Sequence, residues 1–211
     1  MILTHGANSI CREKSNIIYE LNINNFDLNT LKDGPVTWQY FYGSETVNKL
    51  SDCLEVTRTG SYVGFGLDFS QFAELTDKFI CEYEITPQLS GFQYISAFNQ
   101  GVNAYGGYYS NLGYYFIDRN LKSRNILAGS QGNTWDFFRR YNGINYSFPV
   151  RVKNIVDFTD IDNRKIECYY NEIKVSELIY NQNESQLLSR FVMTPDTGAS
   201  IKLFSFKLYN Y

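Results

Sequence analysis

The chain has 211 residues, a length that suits one β-sandwich or barrel, or one such domain with a short arm. Aromatic residues make up 17% of the chain, with 18 Tyr and 16 Phe, and this composition favours β-structure. The chain has a single histidine, which gives almost no support to Ser-His or Cys-His catalysis. A net charge of -3 offers no positive field for a phosphate backbone, so nucleic acid is not an expected partner.

The N-terminus, "MILTHGANSICREKSNIIYE", has no basic region followed by an apolar core, and no apolar run in the chain approaches the roughly 20 residues of a membrane span. We therefore expect neither a standard export signal nor a membrane anchor. Residues 1–16 follow no period, which predicts an arm that becomes ordered against another protein; a loose terminus is the alternative. The cysteines are scattered without metal-ligand spacing and are expected to be free, reduced thiols: Cys11, Cys53, Cys81 and Cys168.

Alternation of apolar and polar residues predicts ten or more short strands along the rest of the chain. In "VTWQYFY" the predicted shared face carries Val36, Trp38, Tyr40 and Tyr42. In "YVGFGLDF" the large apolar residues lie on one face and the glycines on the other, which marks a bulge, a twist or a close sheet contact. In "FICEYEI" Glu82 and Glu84 point away from the apolar face, as in a half-buried antiparallel strand.

Helix signals are few. "DFSQFAELTDK" after Asp68 and "NESQLLSRF" after Asn183 are predicted to form connectors of about two helical turns each. Many short strands with almost no helix predict an all-β fold, an antiparallel β-sandwich or jelly roll. We divide the chain into an N-terminal arm, residues 1–16, and a β-sandwich domain, residues 17–211.

The last third of the chain carries the most specific pattern. "VRVKNIVDFTDIDNRKIECYYNEIKVSEL" predicts a strand, a polar turn and a hairpin, and "IKLFSFKLYNY" predicts a closing strand. This order resembles the second half of the concanavalin A-like lectin/glucanase jelly roll, including the laminin-G-like modules of phage structural proteins. The matching positions are Tyr169, Tyr170, Asn171 and Glu172 in the hairpin and Leu203 to Asn210 in the closing strand. Glu172 replaces the usual Gly, which predicts a different turn or a strained one, because a type I′ turn needs φ > 0 at both central residues.

A weaker resemblance lies at the start of the chain, where "ILTHGANSI" is similar to the N-termini of some phage tail and capsid appendage proteins. It implies that residues 1–16 dock the protein onto other virion proteins, on the surface of a virion assembled in the host cytoplasm. A homo-oligomer, for which we expect a trimer, is typical of such appendages.

Two irregular segments contain residue types that bind sugars, since aromatic rings stack on sugar C–H groups while Asn, Asp and Arg bind hydroxyls. The candidate carbohydrate-binding residues are Tyr105, Tyr108, Tyr109, Asn111, Trp135, Asp136, Arg139 and Tyr141. Tyr, Trp and Arg are also the residues that dominate protein interfaces, so subunit contacts and simple strand packing remain alternatives.

Two acidic groups offer rival chemistry. Retaining glycosidases use two carboxylates about 5–5.5 Å apart, and Glu82 and Glu84 are the only candidates for that role, with a solvated strand face as the alternative. A Ca²⁺ site is the second hypothesis, with hard oxygen ligands from Asp157, Asp160, Asp162 and Asn163. A polar turn has the same composition and is the alternative. We expect no cofactor.

The sequence thus predicts a non-enzymatic phage virion appendage or decoration protein with a lectin-like domain that binds host-surface carbohydrate. A glycoside hydrolase of the same fold and a purely structural virion spacer are the alternatives.

Overall fold

The computed structural model describes residues 16–42, 45–58, 64–87, 93–97, 114–117, 123–126, 138–140, 149–160, 162–180, 190–195 and 198–211. Short 3-10 helices cover Ile23–Asn25 and Phe69–Gln71. The strands are β1 (Ile17–Glu20), β2 (Lys32–Asp33), β3 (Val36–Tyr42), β4 (Glu45–Lys49), β5 (Leu54–Arg58), β6 (Gly64–Asp68), β7 (Lys78–Pro87), β8 (Gln93–Ala97), β9 (Tyr114–Ile117), β10 (Ser123–Ile126), β11 (Phe138–Arg140), β12 (Val150–Asp157), β13 (Arg164–Tyr170), β14 (Ile173–Tyr180), β15 (Arg190–Thr194) and β16 (Ser200–Asn210).

These strands form two sheets of eight strands each. The first sheet has the order β14-β13-β12-β7-β16-β5-β4, and β1 pairs with the C-terminal half of β16. The second sheet has the order β11-β10-β9-β8-β15-β6-β3-β2. Every pairing described between these strands is antiparallel, so the predicted all-β antiparallel sandwich is confirmed.

Aromatic side chains fill the space between the sheets. Trp38 of the second sheet stacks on Phe65, with ring centroids 5.5 Å apart, and meets Phe206 of the first sheet edge-on at 5.7 Å. Phe191 lies 4.8 Å from Phe206 and 4.9 Å from Tyr83, again across the two sheets. All five side chains are fully buried. Their large apolar area explains how strands of five to eleven residues make a stable core.

The β3 strand departs from the predicted alternation. Val36 and Trp38 face the core, and Tyr40 contacts Phe65 across to β6. A register shift then follows between Tyr40 and Tyr42, so the regular alternation predicted for "VTWQYFY" is interrupted after Tyr40. A β-bulge of this kind places an extra residue opposite the partner strand and re-aims its side chain.

One predicted helix is corrected, and of the other only the last two residues, Arg190 and Phe191, are described. "DFSQFAELTDK" contains only the 3-10 turn Phe69–Gln71, which begins where Asp68 Oδ1 accepts a hydrogen bond from the Ser70 amide. The end of "NESQLLSRF" is not helical, because Arg190 and Phe191 begin strand β15. Phe191 is fully buried. Backbone pairing with β6 on one side and with β8 on the other outweighs the weak local preference for a helix.

The hairpin between β13 and β14 keeps the type I′ conformation in spite of its sequence. Asn171 and Glu172 have φ of 45° and 65°, so both lie in the left-handed region. Asn171 is suited to that region, but Glu172 is strained there. The strain predicted for a residue in place of Gly is therefore confirmed. Salt bridges from Lys153 and Arg151 to the Glu172 carboxylate hold the turn against the neighbouring strand β12.

Cys53 and Cys81 are buried free thiols, which confirms that prediction for these two residues. Burial raises the pKa of the Cys81 thiol well above its ordinary value and keeps it neutral. Among the helices described, none is long and apolar enough to cross a bilayer. Residues 1–15 lie outside the described residues, so the predicted arm stays a prediction.

Candidate functional site

Three neighbouring strands of the second sheet bring residues from distant segments together on its outer face. Phe65, Leu67 and Phe191 point into the core, so the residues between them point outward. The register places Gln39, Gly66 and Val192 in one row and pairs Asp68 with Arg190 in the next. The outer-face site consists of Gln39, Phe41, Gly66, Asp68, Arg190 and Val192.

Arg190 makes two contacts that define this site. Its guanidinium carbon lies 4.8 Å from the centroid of the Phe41 ring, a cation-π geometry. Its Nε lies 3.4 Å from Asp68 Oδ2. Because β3 and β15 flank β6, their axes are about 10 Å apart, and Arg190 reaches Phe41 only if the strand between them leaves room. Gly66 leaves that room, since it has no side chain.

Gly66 is also required by the packing of β6 on β15. A methyl group at residue 66 would collide with the main-chain carbonyl of Phe191. The interpretation of the "GFG" glycines as a close sheet contact is therefore confirmed for Gly66. Gly66 and Val192 are buried, while the side chains of Arg190 and Asp68 remain 21% and 25% exposed. The site thus has an apolar floor with polar groups and one aromatic ring above it.

Unused hydrogen-bonding capacity makes this surface suitable for a polar ligand. Asp68 Oδ1 accepts from the Ser70 amide at 2.9 Å, and Oδ2 faces Arg190. Within the described part of the chain, the terminal nitrogens of Arg190 and the carboxamide of Gln39 have no hydrogen-bond partner. Among the described residues, four N–H donors of the guanidinium and both ends of the amide therefore remain unpaired.

Most of the sequence-predicted sugar-binding residues cannot be compared with this site. Tyr105, Tyr108, Tyr109, Asn111, Trp135, Asp136 and Tyr141 lie outside the described residues. Arg139 lies in edge strand β11 opposite Asn125, four strands away from β15 in the same sheet.

The last residue described before the tyrosine-rich segment lies next to the outer-face site. Strand β8 ends at Ala97, and Ala97 pairs with Phe191, the neighbour of Arg190. Ala97 is therefore one residue pair away from the Asp68–Arg190 pair.

Glu82 lies on the outer face of the first sheet and is not solvated, so that part of the prediction is wrong. It is 7% exposed. Its Oε1 is bound by the Arg151 guanidinium, and its Oε2 accepts a hydrogen bond of 2.9 Å from the Tyr209 hydroxyl. Burial and this hydrogen bond raise the pKa of Tyr209, which keeps the donor protonated. Glu84 is half-buried on the same strand.

A second carboxylate of this sheet, Glu167, gives the fold a measurable pH dependence. Partial burial opposes its ionisation, but hydrogen bonds from Lys165, Tyr169 and Lys174 outweigh burial and lower its pKa to about 2. A folded-state pKa below the unfolded value of 4.5 stabilises the protein above pH 4.5, and this stabilisation is lost as the pH falls towards 2.

We therefore expect E167Q to flatten the fall in the free energy of unfolding between pH 4.5 and pH 2. Urea unfolding at pH 6, 4, 3 and 2 measures it, with E74Q at an exposed glutamate as the control. Equal slopes for E167Q and the native chain in this window would contradict the expectation.

The acidic turn between β12 and β13 uses its oxygens internally. Asp157 Oδ1 accepts from the Thr159 hydroxyl at 2.6 Å, and its Oδ2 pairs with Lys78 at 3.2 Å. Asp160 accepts from the Asp162 amide and from the Asn163 side chain. These hydrogen bonds lower the pKa of Asp160 and match a polar turn. In the described ranges no group of three or more His, Cys, Asp or Glu is arranged to hold a metal ion.

A surface depression of about 490 Å³ lies where the chain leaves β1, opposite the turn between β4 and β5. It is lined by Glu20, Leu21, Asn22, Ile23, Asn24, Ser51 and Asp52. This lining has hydrogen-bonding groups but no aromatic ring, whereas the outer-face site has both.

Sequence reasoning missed Phe41, Asp68 and Arg190 as site residues. Each belongs to a different strand, and the residues meet only through sheet pairing, so no local motif joins them. The alternating glycines of "GFGLD" were the available signal, because a strand face without side chains leaves space for a neighbour or a ligand.

No protein-family model and no curated protein sequence matches the chain. Solved structures do match it. The carbohydrate recognition domain of Emp47p shares 16% identity at a TM-score of 0.61, over 97% of this chain and 99% of that one. A Bacillus subtilis protein of unknown function with a galectin-like fold shares 10% identity at a TM-score of 0.54, over 92% and 96% of the two chains.

The exoplasmic/lumenal domain of VIP36, in a form bound to Ca²⁺ and Man3GlcNAc, shares 8% identity at a TM-score of 0.51, over 85% of each chain. At these identities the likeness establishes the architecture alone. It agrees with the resemblance of the C-terminal hairpin and closing strand, and the chain therefore has the concanavalin A-like lectin fold.

Proposed function

We propose that the protein is a non-enzymatic, cofactor-independent carbohydrate-binding module and that the outer-face site contacts the sugar. The observation that carries this proposal is the Arg190 guanidinium, which packs on Phe41 and pairs with Asp68 beside Gly66, an outward position of β6 that has no side chain. Similarity to carbohydrate recognition domains supports it at the level of the fold.

The chemistry of the site suits a polyhydroxylated ligand. Sugar hydroxyls both donate and accept hydrogen bonds, and the site offers donors on Arg190, an acceptor on Asp68 and both on Gln39. Binding sites of this kind combine apolar surface with a few polar groups that fix the orientation of the ligand. The apolar surface comes from the half-buried ring of Phe41.

The tyrosine-rich segment extends this proposal. Because the chain enters that segment at Ala97, beside Phe191, we propose that Tyr105, Tyr108 and Tyr109 contribute further stacking surfaces to the same ligand. The rival hydrolase assigns catalysis to Glu82 and Glu84, but both oxygens of Glu82 already bind Arg151 and Tyr209 within the first sheet, which favours a binding role for this chain.

A glycan-array screen with R190A and with K202A tests the proposal. Lys202 lies on the first sheet and pairs with Glu55, so K202A removes one positive charge away from the site. We expect R190A to weaken binding of the recognised glycan at least tenfold, about 1.4 kcal/mol, and K202A to leave it unchanged. Equal binding by R190A and the native chain would contradict the assigned site, and the absence of any glycan binding would favour a structural spacer.

We further propose that this module is displayed on a phage virion, docked on other virion proteins by residues 1–16, and that it binds host-surface glycan as a homotrimer. The support is the resemblance of "ILTHGANSI" and of the C-terminal strands to phage structural proteins. Deletion of residues 1–16 is expected to abolish incorporation into particles while the isolated protein keeps its fold. Unchanged incorporation would contradict the docking role.

A further inference from the structure

The charges of the outer-face site compensate each other. Arg190 Nε lies 3.4 Å from Asp68 Oδ2. Among the outward positions that the structure describes in β3, β6 and β15, these two residues carry the charges. Thr37 and Gln39 of β3, and Gly64 and Gly66 of β6, are uncharged. The positive charge of the Arg190 guanidinium is therefore balanced by the Asp68 carboxylate before a ligand binds.

Such a pair favours a neutral ligand over an anionic one. A carboxylate that approached the terminal nitrogens of Arg190 would meet a guanidinium already paired with Asp68, and it would be repelled by that aspartate. The repulsion is strong because both side chains are about three-quarters covered, where screening by water is weak. An uncharged hydroxyl group is not repelled by Asp68, and it forms a hydrogen bond with either Arg190 or Asp68.

We infer that the outer-face site selects uncharged sugars over sugars that carry a carboxylate, and that Asp68 sets this selectivity. The inference rests on the proposed function and goes further by naming the class of sugar. The net charge of -3 on the whole chain acts in the same direction.

The substitution D68N tests the role of Asp68 with little change of shape. The asparagine carboxamide oxygen still accepts the hydrogen bond from the Ser70 amide that begins the 3-10 turn. The guanidinium of Arg190 then lacks its counter-ion, stays packed on Phe41, and presents a planar fork that matches a carboxylate. We expect D68N to raise the ratio of carboxylate-sugar to neutral-sugar affinity at least tenfold.

The experiment compares matched glycan pairs that differ only in a terminal glucose or glucuronate, by titration at low and high salt. The inference is supported if the native chain binds the neutral member more tightly, and if D68N binds both members about equally or prefers the glucuronate member. The gain of D68N for the glucuronate member should also become smaller at high salt. The double variant D68N/R190Q tests whether Arg190 is the group that binds the carboxylate. If it is, the raised affinity of D68N for the glucuronate member should be absent from the double variant.

Stronger binding of the glucuronate member by the native chain, or an unchanged ratio in D68N, would overturn the inference while leaving the proposed function intact. Failure of the native chain to bind any glycan, neutral or acidic, would instead overturn the proposed function. Circular dichroism and thermal unfolding of each variant ensure that only folded proteins are compared.

Discussion

Replacing Phe191 with alanine is expected to lower the free energy of unfolding by about 3–5 kcal/mol, the range for truncating a buried phenylalanine. The side chain is fully buried, and its ring lies 4.8 Å from Phe206 and 4.9 Å from Tyr83. It also meets Trp38 edge-on at 6.3 Å. The truncation would therefore leave a cavity between the two sheets that the surrounding aromatic rings cannot fill.

The same change should weaken ligand binding, because Phe191 fixes the strand that carries Arg190 and Val192. Urea unfolding measures the stability, and glycan titration measures the binding. F191L is the conservative variant and should lose less of both, while I173A removes an exposed apolar side chain and should change stability by no more than about 0.5 kcal/mol. A loss for F191A as small as that of I173A would contradict the assignment of Phe191 to the core.

Phe191 also shows where prediction from the sequence ended. "NESQLLSRF" contains good helix formers and only one large aromatic residue, so local preference indicated a helix. The strand β15 exists because β6 and β8 present unpaired backbone groups on both sides of it. Those partners lie about 100 residues or more away in sequence, and a pattern within a short window contains no information about them.

Elements with strong local patterns were predicted correctly. The alternation of "FICEYEI" and "VRVKNIVDF" gives strands β7 and β12, and the order of the C-terminal hairpin and closing strand indicated the concanavalin A-like fold. The same alternation misassigned Glu82 to solvent, because alternation tells which face a side chain lies on but not whether Arg151 and Tyr209 cover it there.

A second large effect is expected at Asp33, a buried carboxylate that joins the two sheets. Its Oδ2 accepts hydrogen bonds from the Tyr19 hydroxyl at 3.0 Å and from the Asn22 amide at 2.7 Å. The Tyr19 hydroxyl in turn accepts a hydrogen bond of 2.9 Å from Trp38 Nε1. Tyr19 belongs to β1 on the first sheet, whereas Asp33 and Trp38 belong to β2 and β3 of the second.

Asp33→Ala should lower the free energy of unfolding by about 3 kcal/mol, because the buried Tyr19 hydroxyl and the partly buried Asn22 amide then lose a charged acceptor. Burial raises the pKa of Tyr19, and the nearby Asp33 carboxylate adds to this effect, so the hydroxyl keeps the proton that it donates. D33N keeps one acceptor oxygen and should lose about half as much. D27A, at an exposed aspartate that caps a turn, serves as the control.

Hydrogen exchange distinguishes loss of this connection from a general loosening of the fold. If the network anchors β1, the amides that pair β1 with β16 should exchange faster in D33A than in D27A, while those that pair β7 with β12 should change only with global stability. Unaltered protection of β1 in D33A would show that strand pairing and the apolar contacts of Tyr19 with Phe72 and Phe206 hold this strand without the carboxylate.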